Sequence, residues 1–119
     1  MNRIVIARSK WRDAINSKNL YSLLGCYNEE HTFKGTMNDR VTDRTEDTKR
    51  YFTQLLKKNP TVIFTKSEIQ NTDGVYIDSG TYVFCMMDKE SVTANYQFVY
   101  SRDADDPKII SHFSSKVSN

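Results

Sequence analysis

The side chains in this sequence that could move a proton at neutral pH are few. They fall mostly in its C-terminal half: His112, with Asp78, Glu68 and Tyr82 in neighbouring extended segments. Histidine is the one residue whose ordinary pKa, about 6.5, lies within reach of neutrality, and an acidic or phenolic neighbour would complete a general acid–base set. The catalytic candidates are therefore His112, Asp78 and Tyr82. Each also has a plainer reading, because a strand carboxylate usually faces solvent and a lone strand histidine is more commonly a structural hydrogen-bonder. No Gly-rich phosphate loop, nucleophile elbow or H-E-x-x-H motif accompanies them. Cys26 and Cys85 have neither metal-site spacing nor the density of a disulfide scaffold, so they are expected as buried thiols. No metal and no cofactor are expected.

Three consecutive segments must position these groups: Tyr76–Met87, Val92–Tyr100 and Lys108–Ser115, all rich in β-branched and aromatic residues and joined by turn-rich connections. They read as a meander. Thr61–Ile69 precedes it and alternates imperfectly, with Ile63, Thr65, Ser67 and Ile69 on one side and Val62, Phe64, Lys66 and Glu68 on the other. Asp73-Gly74 is a hairpin signal between the two. Asp88-Lys89-Glu90 and Ser101–Pro107 supply the later turns.

Upstream, Ile4, Ala7, Trp11, Ala14 and Ile15 mark one face of a first helix, with Arg8, Lys10, Arg12, Asp13 and Asn16 around the other side. Asn19 can cap a short second helix with apolar positions at Leu20, Leu23, Leu24 and Tyr27. His31–Lys34 is a brief strand ending at Gly35. Asp43 and Glu46 have capping-box spacing for a third helix from about Thr45 to Lys58, stopped by Asn59-Pro60. The order predicts an α+β fold, with three N-terminal helices packed on a curved antiparallel sheet.

In the segment Val92–Tyr100, Ala94, Tyr96, Phe98 and Tyr100 oppose Thr93, Asn95, Gln97 and Val99. Alternation separates the two faces without saying which lines the interior, and core packing is the plainer reading for some of the rings. One layer of helices covers only one sheet face, so the aromatic set Tyr96, Phe98, Tyr100 and Phe84 is expected to form an oligomer interface.

The 119 residues fit a single domain, 1–119, large enough to need no staple. Net charge is +2, with acidic and basic residues interspersed, which argues against a nucleic-acid footprint. Ile4-Val5-Ile6-Ala7 is the longest apolar run near the start, too short for a membrane span or a signal segment. A cytoplasmic protein with no membrane partner is expected.

These elements resemble the cone-shaped nuclear transport factor 2-like (cystatin-like) fold. Within it they resemble the branch holding the association domain of calcium/calmodulin-dependent protein kinase II and its small stand-alone relatives. The resemblance rests on Trp11 with Ala14-Ile15, Gly35-Thr36, Tyr51-Phe52, Asn59-Pro60, Asp78–Phe84, Ala94–Tyr100 and Ile109–Ser115. It implies a cone with a pocket on its concave face, to which His112, Asn95, Gln97, Ser114 and Trp11 are directed, and a convex sheet face used for dimers or larger rings. The family pattern places an arginine where this chain has Asn95 and a second histidine where it has Phe113, so the pocket is expected to be polar and nearly neutral. The function it implies is a non-catalytic homo-oligomerising domain, its partner a second copy of itself, with room for a small polar ligand. The alternative is a small-molecule enzyme of the polyketide-cyclase or ketosteroid-isomerase type, with the cone as active site.

Overall fold

The chain forms helix α1 (Asn2–Asn16), helix α2 (Leu20–Leu24), strand β1 (Tyr27–Lys34), helix α3 (Thr45–Lys57) and strands β2 (Thr61–Thr72), β3 (Val75–Cys85), β4 (Ser91–Tyr100) and β5 (Ile109–Lys116). These come from a computed structural model that describes residues 2–88, 90–102 and 105–117. The expected turns at 88–90 and 101–107 therefore include Lys89, Asp103 and Ala104, which lie outside the described residues.

The strands make one five-stranded sheet in the order β1-β5-β4-β3-β2. Neighbours from β2 to β5 pair antiparallel, while β1 pairs parallel to β5, so the sheet is mixed and not wholly antiparallel. The parallel pair arises because β1 is entered from α2 and left towards α3, with no hairpin linking it to β5. Two helices precede β1 and the third follows it. No helix among the described residues is long and apolar enough to cross a membrane.

Local chemistry sets the boundaries. The Asn19 side chain accepts a hydrogen bond from the Ser22 amide at 3.0 Å, capping α2 as its sequence suggests. Gly25 then ends the helix, so Tyr27, read above as its last apolar position, instead opens β1. Asp43 does not cap α3. The N-cap is Arg44 without a side-chain bond, and Thr42 Oγ1 donates to Asp47 at 2.8 Å in the first turn instead. Asn59 takes a φ of 52° ahead of Pro60, and Asp73 and Gly74 take 52° and 80° in the β2–β3 turn, the left-handed pair that tight hairpins require.

Two register shifts decide which side chains point inward. The first, between Phe64 and Lys66, leaves Thr65 unpaired, so Val62 and Phe64 face the core before it and Ser67 and Ile69 after it. This is why the alternation in this segment is imperfect. The second, between Val99 and Tyr100, passes over Ile110 and brings Ile109 to the same buried side as His112 and Ser114. At the free edge of the sheet Asn16 replaces a missing strand at Val62. Its Oδ1 accepts from the Val62 amide at 2.8 Å, and its Nδ2 donates to the Val62 carbonyl at 3.5 Å.

The first shift depends on Gly80, which lies so close to β2 that a Cβ there would sit 1.9 Å from the Lys66 carbonyl oxygen. Gly80→Ala is expected to destabilise the fold by about 2 kcal/mol or more, read from urea denaturation. An unchanged midpoint would show that β2 can move away without cost.

Candidate functional site

Helix α1 lays Trp11 into the hollow of the curved sheet, and the hollow is filled by rings. Trp11 stacks on Tyr82 at 5.6 Å between centroids and 4° between planes, and meets Phe64, Phe84, Phe98 and His112 edge-on or nearly so at 5.3–6.2 Å. Phe33, Tyr27 and Phe52 close the hollow from the β1 and α3 side. Among the described residues a void of about 10 Å³ lies there, bordered by Gly35, Thr36, Tyr51, Tyr82 and His112 among others. That is roughly the space of one water molecule.

The polar groups inside this packing form a hydrogen-bonded chain that starts at an obligate donor. The Trp11 indole N–H can only donate, and it donates to the Tyr27 hydroxyl at 3.2 Å. The Tyr27 hydroxyl is in turn hydrogen-bonded to His112 Nδ1, 2.7 Å away. His112 Nε2 lies 3.1 Å from the Tyr82 oxygen, so a phenol engages each ring nitrogen. The Ser114 and Thr36 hydroxyls, hydrogen-bonded to each other, lie on the other side of the Tyr82 phenol. Burial pulls the His112 pKa down to about 3, helped by the nearby His31. Burial likewise pushes the Tyr82 and Tyr27 phenols up. Both ring nitrogens of His112 are thus engaged by phenols, and burial holds the imidazole neutral.

A second buried group lies beside this chain and does not join it. Arg8 grips Asp78 through two bonds, Nε to Oδ2 at 2.7 Å and Nη2 to Oδ1 at 2.9 Å, and lies 5.7 Å from the centroid of the Phe64 ring. The Tyr96 hydroxyl donates to Asp78 Oδ1 at 3.0 Å and is itself 2.7 Å from the Ser67 hydroxyl. Asp78 is fully buried, and the pair pins α1 to β3. Arg8 was read above as a solvent-side residue. Its spacing from Ile4 and Trp11, four before and three after, is the signal that places it on the buried stripe.

The residues expected to act together are thus sorted anew. His112, Ser114, Tyr82 and Trp11 do converge inside the hollow. Asp78 is separate from His112, with Phe98 between them across the strands. Asn95 and Gln97 lie on the opposite, outer face of β4 and are exposed, because alternation sends the residues between Ala94, Tyr96 and Phe98 outward. Conversely Tyr96, Phe98, Tyr100 and Phe84 are buried within the chain, where α1 covers them, so they cannot present an interface to a partner. Glu68 is exposed on the outer side of β2. Cys26 and Cys85 are half-buried and not fully buried as expected, and burial pushes the Cys26 thiol pKa up to about 11. Among the described residues no group of three or more His, Cys, Asp or Glu is arranged to hold a metal ion.

Outside the hollow, a groove of about 670 Å³ runs between the loop after β1, helix α3 and the end of β3, with Met37, Tyr51, Leu55, Met86 and Val92 on its walls. Tyr51 and Leu55 border both this groove and the small interior void. Gly35 makes room for Tyr51, since a Cβ at that position would lie 2.2 Å from the ring.

The family model for the calcium/calmodulin-dependent protein kinase II association domain matches residues 2–118. Among solved structures, a protein of Xanthomonas campestris described as such an association domain superposes with a TM-score of 0.86 at 23% identity, covering 98% of this chain and 86% of that one. A Streptomyces avermitilis protein described as a dehydratase of the nuclear transport factor 2-like family gives 0.85 at 12%, covering 99% and 96%. A nuclear transport factor 2-like protein of unknown function from Shewanella oneidensis gives 0.80 at 17%, covering 96% and 97%. These likenesses establish the nuclear transport factor 2-like, cystatin-like fold. No curated protein matches the chain in sequence.

Two consequences can be measured. Above pH 6.5 His112 is neutral in the folded and unfolded chain alike. On acidification the unfolded chain takes up a proton that the folded interior resists down to about pH 3, so stability drops by roughly 1.4 kcal/mol per pH unit in that window. Urea titrations across the window are expected to give His112→Gln a shallower acid slope than wild type, whereas parallel profiles would mean the buried imidazole accepts a proton. Separately, Asp78→Asn removes the counter-charge of a guanidinium whose side chain is only 16% exposed, with an expected cost of about 3 kcal/mol or more. The double variant Arg8→Met with Asp78→Leu is expected to regain much of that loss, and a double-mutant cycle reads the difference.

Proposed function

This chain belongs to the calcium/calmodulin-dependent protein kinase II association-domain family, and from that membership we propose that it is a non-catalytic, single-domain protein whose partner is a second copy of itself. The observation that carries the proposal is the outer face of the sheet, which the helices do not cover. Ile63 and Phe113 are 58% and 40% exposed there, and Val83, Val99 and Ile77 are half-buried among Thr93, Asn95, Gln97 and Ser115. Phe113 sits opposite Gln97 on β4 and beside Lys34 on β1, away from the sheet's free edge. An apolar patch set in small polar residues suits a two-fold interface in which the same surface meets itself.

The aromatic residues first expected at that interface are instead what makes the outer face firm, since they pack the hollow behind it. A cone-cavity enzyme is the weaker reading, because the void beside His112 is only about 10 Å³ and the two nitrogens of His112 are both occupied by tyrosines. A cytoplasmic site of action, with no nucleic acid or membrane as partner, belongs to the same proposal.

Light scattering after size exclusion tests it. The wild-type protein is expected at twice its 13.9 kDa chain mass or a larger multiple, and Phe113→Arg at the monomer mass with an unchanged circular dichroism spectrum. A wild-type monomer across the micromolar range would remove the proposal.

A further inference from the structure

The phenol ring of Tyr51, like the side chain of Leu55, borders two spaces. Outside it lies the groove of about 670 Å³, a volume ordinary for a small-molecule site. Behind it lie the void beside His112 and the hydroxyls of Thr36 and Tyr82. The Tyr51 hydroxyl accepts a long bond, 3.3 Å, from the Met37 amide with Thr36 also beside it, and the ring's faces and edges meet Phe33 at 5.0 Å and Phe52 at 5.3 Å. Gly35 contributes no side chain, so the slot is shaped for a six-membered ring. Tyr51 remains partly exposed on the groove side.

We infer that this slot is a binding site for a neutral, phenol-like ring, which Tyr51 occupies in the closed state and vacates towards the outer groove when a ligand enters. The chemical class follows from the walls. Among the described residues bordering the inner void none carries a formal charge, and Phe33, Phe52, Phe84 and Trp11 supply aromatic surface. Burying an anion there would leave its charge unpaired, which is costly, whereas a hydroxyl or carbonyl at one end of a flat apolar ring meets the same groups that now surround the Tyr51 hydroxyl, the Met37 amide and Thr36. Ligand binding then competes with the closed position of Tyr51, so the apparent affinity is lowered by the population of the open state. The site does not depend on self-association, and its test reads binding and not mass.

The probes are p-cresol, toluene and 4-methylbenzoate, titrated at neutral pH into the wild-type protein and into Tyr51→Ala while backbone amide shifts are followed by NMR. In wild type, p-cresol is expected to shift Gly35, Thr36 and His112 together with groove residues such as Val92. Tyr51→Ala is expected to bind p-cresol about tenfold more tightly, toluene more weakly than p-cresol, and 4-methylbenzoate not at all. If Tyr51→Ala fails to fold, the wild-type titration decides alone: no shifts, or shifts confined to the outer groove, would overturn the inference. Equal binding of 4-methylbenzoate and p-cresol would overturn the neutral class, and unchanged p-cresol affinity in a folded Tyr51→Ala would overturn the role of the ring as occupant.

Discussion

The position of Trp11 is the constraint on which the rest of this structure depends. A curved sheet creates a hollow that must be filled, because a dry void forfeits dispersion contacts with every wall atom. Trp11 is fully buried in the middle of that hollow and touches rings from β2, β3, β4 and β5. Its indole N–H can only donate, and it starts a chain of hydrogen bonds that runs through Tyr27 to His112 and on to Tyr82. Packing and polarity in the interior are therefore set by the same side chain.

The ion pair of Arg8 and Asp78 belongs to this logic. Arg8 lies one helical turn before Trp11, and a charge facing a buried surface needs a partner there. Asp78, with Tyr96 and Ser67 behind it, provides a bidentate one. The pair adds orientation more than net stability, since desolvating two charges offsets most of their attraction. What it specifies is the rotation of α1 about its axis, which in turn is what delivers Trp11 to the hollow.

Much of the fold was legible in the sequence, and the parts that were not have definite causes. The helix at Leu20–Leu24, the stop at Asn59-Pro60 and the hairpin at Asp73-Gly74 follow from short-range chemistry, and they lie where the residues indicate. The inside and outside of the sheet were not legible, because alternation along Val92–Tyr100 distinguishes two faces but assigns neither. Asn95 and Gln97 look specific enough to line a pocket, yet the aromatic residues between them have the stronger claim on the interior, since each ring removes far more apolar area from water than an amide could recover in hydrogen bonds. The skipped residue Ile110 and the bulge at Thr65 also lay beyond a simple period of two. The parallel pairing of β1 with β5 is long-range and leaves no local signature. The involvement of Tyr51 and Gly35 was hidden for a similar reason, as it rests on a close approach between a loop and a helix well separated along the chain.

A filled hollow has a consequence for the other side of the sheet. A sheet braced by stacked rings holds one curvature, so the outer face keeps its shape before any partner arrives and loses little conformational freedom on docking. That matters because this face is only moderately apolar: Phe113, Ile63 and Val99 are separated by hydroxyl and amide side chains that must be satisfied across any interface or by water. In the proposed dimer, rigidity would offset the modest apolar area, and the polar residues would fix the angle at which the two copies meet. On this view the aromatic residues support association from within, behind the surface that makes the contact.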